Sequence, residues 1–237
     1  MKVANQIPKR RRKEIEKALE GSTGTPKKWS RQSGPKNHNF MRKRISPGTI
    51  RRVDFDLLSV DIGESWPTPV TVIHGSRPGP VVTLLGAVHG NELVGPLALT
   101  YLTGPNFVGP GKPIDPESMS GTLRIVPVVN MPGYRRQSRY MPDGRDLNRA
   151  FPGKPESNTT FRVAHRIWDQ VIVGSDYIID LHTAAFGRTN MPQIRANLAH
   201  ASSNKIARSF GIEAILDNVG PKGSLRRLTN ESDIACI

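Results

Sequence analysis

The chain predicts an α/β domain with a mixed, largely parallel sheet flanked by helices, and three observations carry that reading. Continuous apolar runs at residues 81–88, 123–129 and 177–181 have the length and texture of strands buried on both faces. Between and beyond them, apolar residues recur at helical spacing, most plainly Phe161, Ala164, Ile167, Trp168 and Val171. Turn chemistry separates the two periods: His74-Gly75-Ser76-Arg77-Pro78-Gly79 reads as a loop, and residues 130–157 are rich in Pro, Gly and Arg.

Residues 51–60 alternate well enough for a half-buried strand, and residues 69–73 for a second. The run at 81–88 is the first fully buried strand. Residues 92–102 then predict a helix, with Leu93, Leu97 and Tyr101 on one stripe. After the buried strand at 123–129 comes the long loop 130–157, a length usually reserved for function. A helix around residues 161–171 leads to the third buried strand, 177–181. Strands near 193–196 and 213–216, helices near 201–210 and Leu225, and a strand beginning at Ile234 complete the series. In sheets of this kind, ligands collect at the carboxyl ends of the strands.

Composition divides the chain. Residues 1–46 hold 14 Lys or Arg and 3 Glu, whereas the whole chain carries +14, so the remaining residues are close to neutral. With 36% hydrophobic residues overall, part of the chain is expected to lie outside any core. The expected organisation is a basic, disordered leader over 1–46 and a globular domain over 47–237. The leader could tether nucleic acid or another acidic partner, but a solvated tail is favoured, because no groove-reading helix accompanies the charge. The single cysteine, Cys236, excludes an intramolecular disulfide and a Cys-rich zinc knuckle. No apolar run approaches the roughly 20 residues that a bilayer needs. The leader lacks the apolar core of a secretory signal, and Glu14, Glu16 and Glu20 argue against a transit peptide. A cytoplasmic location is expected.

His89 follows directly on the strand 81–88, and Glu92 lies one turn beyond it. Imidazole and carboxylate are both zinc ligands, and three such ligands plus water make a catalytic site. His182 closes the strand 177–181 and supplies a third donor at a second carboxyl strand end. Asp180, on the same strand face, either orients an imidazole N–H or caps a neighbouring loop. The loop segment Asp143-Gly144-Arg145-Asp146-Leu147-Asn148-Arg149 follows Arg135, Arg136 and Arg139. Clustered guanidinium groups beside a metal suit an anionic substrate; a solvated basic loop is the plainer alternative.

Three motifs in order, His-Gly-Asn-Glu at 89–92, Asp-Leu-Asn-Arg-x-Phe-Pro-Gly at 146–153 and Asp-Leu-His-Thr at 180–183, resemble the succinylglutamate desuccinylase/aspartoacylase family. That family is a branch of the zinc carboxypeptidase-like hydrolases. The resemblance covers about residues 50–237 and leaves the leader outside. It implies one zinc ion per chain held by His89, Glu92 and His182. It implies that Asn148 and Arg149 hold a substrate carboxylate and that Arg139 polarises the scissile carbonyl. The implied reaction is hydrolysis of the linear amide of a small anionic N-acyl amino acid. A zinc carboxypeptidase and a non-catalytic zinc-binding protein with a basic tail are the alternatives. The family's catalytic Glu sits in a pattern like Ile-Thr-x-Glu-x-Gly, and the chain reaches Ile237 before it, so these 237 residues are expected to bind metal yet hydrolyse poorly.

Overall fold

The structure, a computed structural model, describes residues 38–59, 65–103, 113–184 and 187–237. In chain order the strands are β1 (His38–Phe40), β2 (Lys43–Ile45), β3 (Thr49–Ser59), β4 (Ser65–His74), β5 (Arg77–Gly86), β6 (Ser120–Val126), β7 (Tyr177–Leu181), β8 (Ile194–Ala196), β9 (Ile215–Asp217) and β10 (Ala235–Cys236). The helices are α1 (Val94–Thr103), α2 (Met131–Arg135), α3 (Thr159–Ile167), α4 (Ala201–Ser209) and α5 (Leu225–Glu231). Leu147–Arg149 forms a short 3-10 turn, and Trp168–Ile172 continues α3 as a wider turn. No helix among the described residues is long and apolar enough to cross a membrane.

Six strands make one sheet in the order β10-β7-β5-β6-β4-β3. Pairings from β10 through β6 are parallel, while β4 pairs antiparallel with both β6 and β3. Neighbouring residues on each strand supply opposite faces, as the two-residue pleat requires. Val70, Val72, Leu85, Val126 and Ile178 share one core with Val163, Ala164 and Ile167 of α3. Ile73, Leu84 and Ile125 share the other with Leu99 of α1. The three central strands are therefore covered on both sides, which explains their unbroken apolar texture. From β5 the chain crosses to β6 on one side and later returns to β7 on the other. That reversal opens a crevice at the carboxyl ends of β5 and β7.

Three expectations need correction. The stripe Leu93, Leu97 and Tyr101 is exposed, and α1 buries Gly95, Pro96 and Leu99 instead. Small residues bring this helix close to the sheet: a methyl at Gly95 would come within 2.9 Å of the Leu181 side chain. Strands β8 and β9 do not join the main sheet but form their own parallel pair. The boundary expected at residue 46 falls just after a folded hairpin, β1–β2, and so assigns to the leader a segment whose Phe40 and Ile45 are buried in the main core. Buried Arg124 anchors this hairpin, lying 4.8 Å from the Phe40 ring centroid and donating through Nε to His38. Residues 1–37 of the expected leader lie outside the described residues.

Deletion of residues 1–46 is therefore expected to destabilise the domain, because it removes Phe40 and Ile45 together. Losing either buried side chain alone typically costs several kcal/mol, about 2–5. At roughly 2–4 °C per kcal/mol for a domain of this size, the melting temperature should fall by about 10 °C or more. Deletion of 1–37 spares both residues and should leave the transition in place. Differential scanning calorimetry of the two truncations decides it; equal melting temperatures would show that the hairpin carries no stability.

His38 also gives the fold a pH dependence. Burial first, then the charge of Arg124 and the nearby His74, push its pKa from 6.5 down to about 4. Between those values the unfolded chain takes up a proton that the folded chain refuses, so stability falls as pH drops from 6.5 toward 4 and is fully present above that window. The effect is on the order of 1–2 kcal/mol once discounted for the partly exposed ring. His38→Gln should flatten the difference in melting temperature between pH 7 and pH 4.5; an unchanged difference would rule the histidine out as its source.

Candidate metal centre

Strand β5 ends at Gly86, and Ala87 follows with φ +48°, a left-handed conformation uncommon for a residue with a side chain. The chain leaves the sheet there, so His89 and Glu92 stand at the strand's carboxyl end, with the Glu92 amide donating to the His89 carbonyl at 3.1 Å. Gly90 makes this turn possible. A Cβ there would lie 2.0 Å from the Gly133 carbonyl carbon, so only glycine lets the loop press against α2. Asn130 holds the same junction, capping α2 by accepting from the Gly133 amide and donating to the Val88 carbonyl. The neighbouring strand β7 delivers His182 one residue past its end.

His89, Glu92 and His182 converge: one candidate ligand atom from each lies within 4.8 Å of the others. His89 Nδ1 is 2.8 Å from Glu92 Oε1, and His182 Nδ1 is 2.8 Å from Oε2. The Thr183 amide donates to Oε2 at 3.0 Å. The opposite ring nitrogens are held as well. His89 Nε2 is 3.2 Å from Asp146 Oδ1, and His182 Nε2 is 2.9 Å from Asp180 Oδ2. Each imidazole is thus fixed in orientation by a carboxylate behind it, the arrangement typical of metal-binding histidines. Of the two sequence readings for Asp180, orientation of an imidazole is the one that the geometry supports.

The charges fit a divalent ion. Glu92 and Asp146 both face the Arg139 guanidinium, and Asp180, behind His182, lies in the field of Arg226, so three carboxylates meet two guanidinium groups and the site stays acidic when both imidazoles are neutral, as ligation requires. Asp180 Oδ1 is buried without a hydrogen-bond partner, so part of that charge has no local donor. In the metal-free chain protons answer the same need. Burial opposes charge on His89, but Asp146 and Glu92 outweigh it and raise its pKa. His182 is likewise raised, to about 10, because Asp180 and Glu92 outweigh desolvation. Glu92 is depressed to about 2: burial opposes this, and the two histidines overcome it. The donor set, two imidazoles and a carboxylate with carboxylates behind them, suits zinc.

Arg139 joins the site. Its guanidinium donates to Asp146 Oδ2 at 2.8 Å and lies 3.7 Å from Glu92 Oε1. Asp146 is the residue that sequence reasoning left without a role. It caps the turn 147–149 by accepting from the Asn148 amide, and it also bridges His89 and Arg139. Its place as Asp before a helical turn was the visible signal, since that is a capping position. Asn148 and Arg149 sit on this turn. The Arg149 side chain is exposed and donates to the Asn148 main-chain carbonyl at 2.7 Å. The Asn148 side-chain oxygen accepts from the Leu225 amide at 2.9 Å. Arg135 and Arg136 remain on the exposed rim of α2.

Fold and site together define a class: α/β proteins in which a His-x-x-Glu pair and a distant His meet at a parallel-sheet switch point. The succinylglutamate desuccinylase/aspartoacylase catalytic domain model matches residues 78–237, and the chain belongs to that family. It is 35% identical over 122 residues to the N-alpha-acetyl-L-2,4-diaminobutyric acid deacetylase of Halomonas elongata, covering 51% of this chain and 32% of that protein. A succinylglutamate desuccinylase/aspartoacylase from Rhodobacter sphaeroides superposes with TM-score 0.65 at 27% identity, over 78% of this chain and 56% of that one. An aspartoacylase family protein from Mesorhizobium loti shares the fold with TM-score 0.67 at 24% identity, over 81% and 60% of the two chains. The chain thus spans about a third of the curated relative and under two thirds of these structural neighbours.

Proposed function

We propose that this chain forms the metal-binding part of a zinc-dependent deacylase that hydrolyses the amide of N-acyl amino acids in the cytoplasm. The observation that supports it most is the convergence of His89, Glu92 and His182 beside Arg139, each histidine backed by a carboxylate. His89, Glu92 and His182 would hold the zinc, which when bound supplies a Lewis acid and an activated water. Arg139, held by Asp146, offers N–H donors where negative charge grows on the carbonyl oxygen. Arg149 and the amide of Asn148 would anchor the amino acid's carboxylate. Kinship with a deacetylase of an N-acetylated diamino acid favours an acetyl group over a peptide as the acyl part, released as a carboxylate while the amine leaves.

The test is a steady-state assay of the zinc-loaded chain against N-acetyl and N-succinyl amino acids, run beside carboxyl-terminal peptide substrates. Turnover of the N-acyl amino acids with the peptides left intact supports the reading. Preferential release of a carboxyl-terminal residue from peptides would make the protein a carboxypeptidase. Zinc binding without binding of either substrate class would make it a non-catalytic metal protein.

A further inference from the structure

The segment that follows Asp146 is gripped in its middle by a second loop, residues 221–224, which leads into α5. The Phe151 amide donates to the Gly223 carbonyl at 3.0 Å, and the Leu225 amide donates to Asn148 Oδ1 at 2.9 Å. Gly223 has φ +78°, and a Cβ there would fall 2.2 Å from the Arg149 carbonyl oxygen. No side chain fits between the two backbones. The contact joins residues far apart in sequence, and neither motif announces it alone.

Its chemical consequence lies in Asn148. A side-chain amide has one acceptor oxygen and two donor hydrogens, and free rotation lets it present either end. The Leu225 N–H is a donor only, so the end that meets it must be the oxygen. The NH2 is then left as the outward group, and Asn148 becomes a donor-only residue next to the Arg149 guanidinium. We propose that the 221–225 loop is a latch that sets this orientation, and that it makes the site select a carboxylate over a neutral carboxamide. Gly223 is its positioning residue, because it alone allows the loop to close on Arg149. The proposal rests on the reading of Asn148 and Arg149 as the substrate carboxylate anchor.

Isothermal titration of the zinc-loaded chain with N-acetyl-L-2,4-diaminobutyrate and with its carboxamide measures the preference directly. Wild type should prefer the carboxylate by roughly tenfold or more, the range of a charge-assisted hydrogen bond pair. Gly223→Ala pushes the loops apart and should erase most of that preference by weakening the carboxylate ligand, with the carboxamide nearly unchanged and the zinc content intact. Asn148→Asp keeps an acceptor for Leu225 but replaces the outward NH2 with an oxygen, and should abolish the preference without opening the latch. Leu225→Pro, at the first position of α5 where proline is tolerated, removes the N–H that holds the Asn148 oxygen and carries the test of the latch if Gly223→Ala fails to fold. If these loop variants keep the preference while Arg149→Ala destroys it, the latch is wrong and the anchor stands. Equal weakening of both ligands by Gly223→Ala would reduce the loop to packing and also overturn the latch. No preference in wild type, or one untouched by Arg149→Ala, would instead overturn the anchor reading itself.

Discussion

Replacing His89 or His182 with Ala is expected to abolish stable zinc binding, against one ion per chain in the wild type after gel filtration. Each histidine contributes a donor to a trio that already lies within 4.8 Å, and no fourth His, Cys, Asp or Glu completes such a group among the described residues. Asp146→Asn and Asp180→Asn leave the donors in place but remove the carboxylates that orient them, so affinity should drop roughly 10–100-fold. The protons give a second readout. Both histidines are raised in pKa, His182 to about 10, so near neutral pH the metal-free site holds a proton on His182 that zinc must displace. Affinity should therefore rise with pH, and titration in buffers of different ionisation enthalpy should show at least one proton released per zinc. Zinc absent from the wild type, or retained at full occupancy in His182→Ala, would defeat the assignment.

Arg139→Ala is expected to lower affinity for a phosphonate analogue of the N-acetyl amino acid by about 10²–10³-fold, with zinc content unchanged. The analogue carries the negative tetrahedral oxygen that the hydrolytic transition state develops, and removing one donor to such an oxygen costs about that factor in rate. Arg139 is a third exposed, so it reaches the solvent side of the site while Asp146 holds its other edge. Arg139→Lys should recover little, because an ammonium cannot span Asp146 and an incoming oxygen as a planar guanidinium does. Binding alone is read, so the result does not depend on turnover. Equal affinity of Arg139→Ala and wild type for the phosphonate would remove Arg139 from the chemistry.

Elements with long apolar runs were legible from the sequence. Strand β7 falls where the pattern put it, and β5, β6 and α3 overlap the expected runs, with β5 beginning at Arg77 inside the expected loop and β6 ending at Val126, because burial on both faces, or on one strong stripe, leaves a dense local signal. The hairpin β1–β2 was not legible. Phe40 and Ile45 are two isolated apolar residues in a basic stretch, and only their burial against distant core residues reveals them as structure. Helix α1 shows the opposite failure: its conspicuous stripe of Leu93, Leu97 and Tyr101 is solvent-exposed, because Gly95 and Pro96 allow closer approach to the sheet than a leucine face could.

The sequence by itself determined the α/β class, the family and the three residues that converge at the strand ends, since each rests on residue type and on spacing along one strand end or one turn. Tertiary structure decided that Asp146 stands behind His89, that the same carboxylate holds Arg139, and that the Asn148 oxygen is the end that meets Leu225. Two of those contacts, His89 with Asp146 and Leu225 with Asn148, join residues 57 and 77 positions apart. Sequence spacing carries no record of such distances, because the closure that produces them is set by how the sheet orders its strands and how tightly its loops can pack.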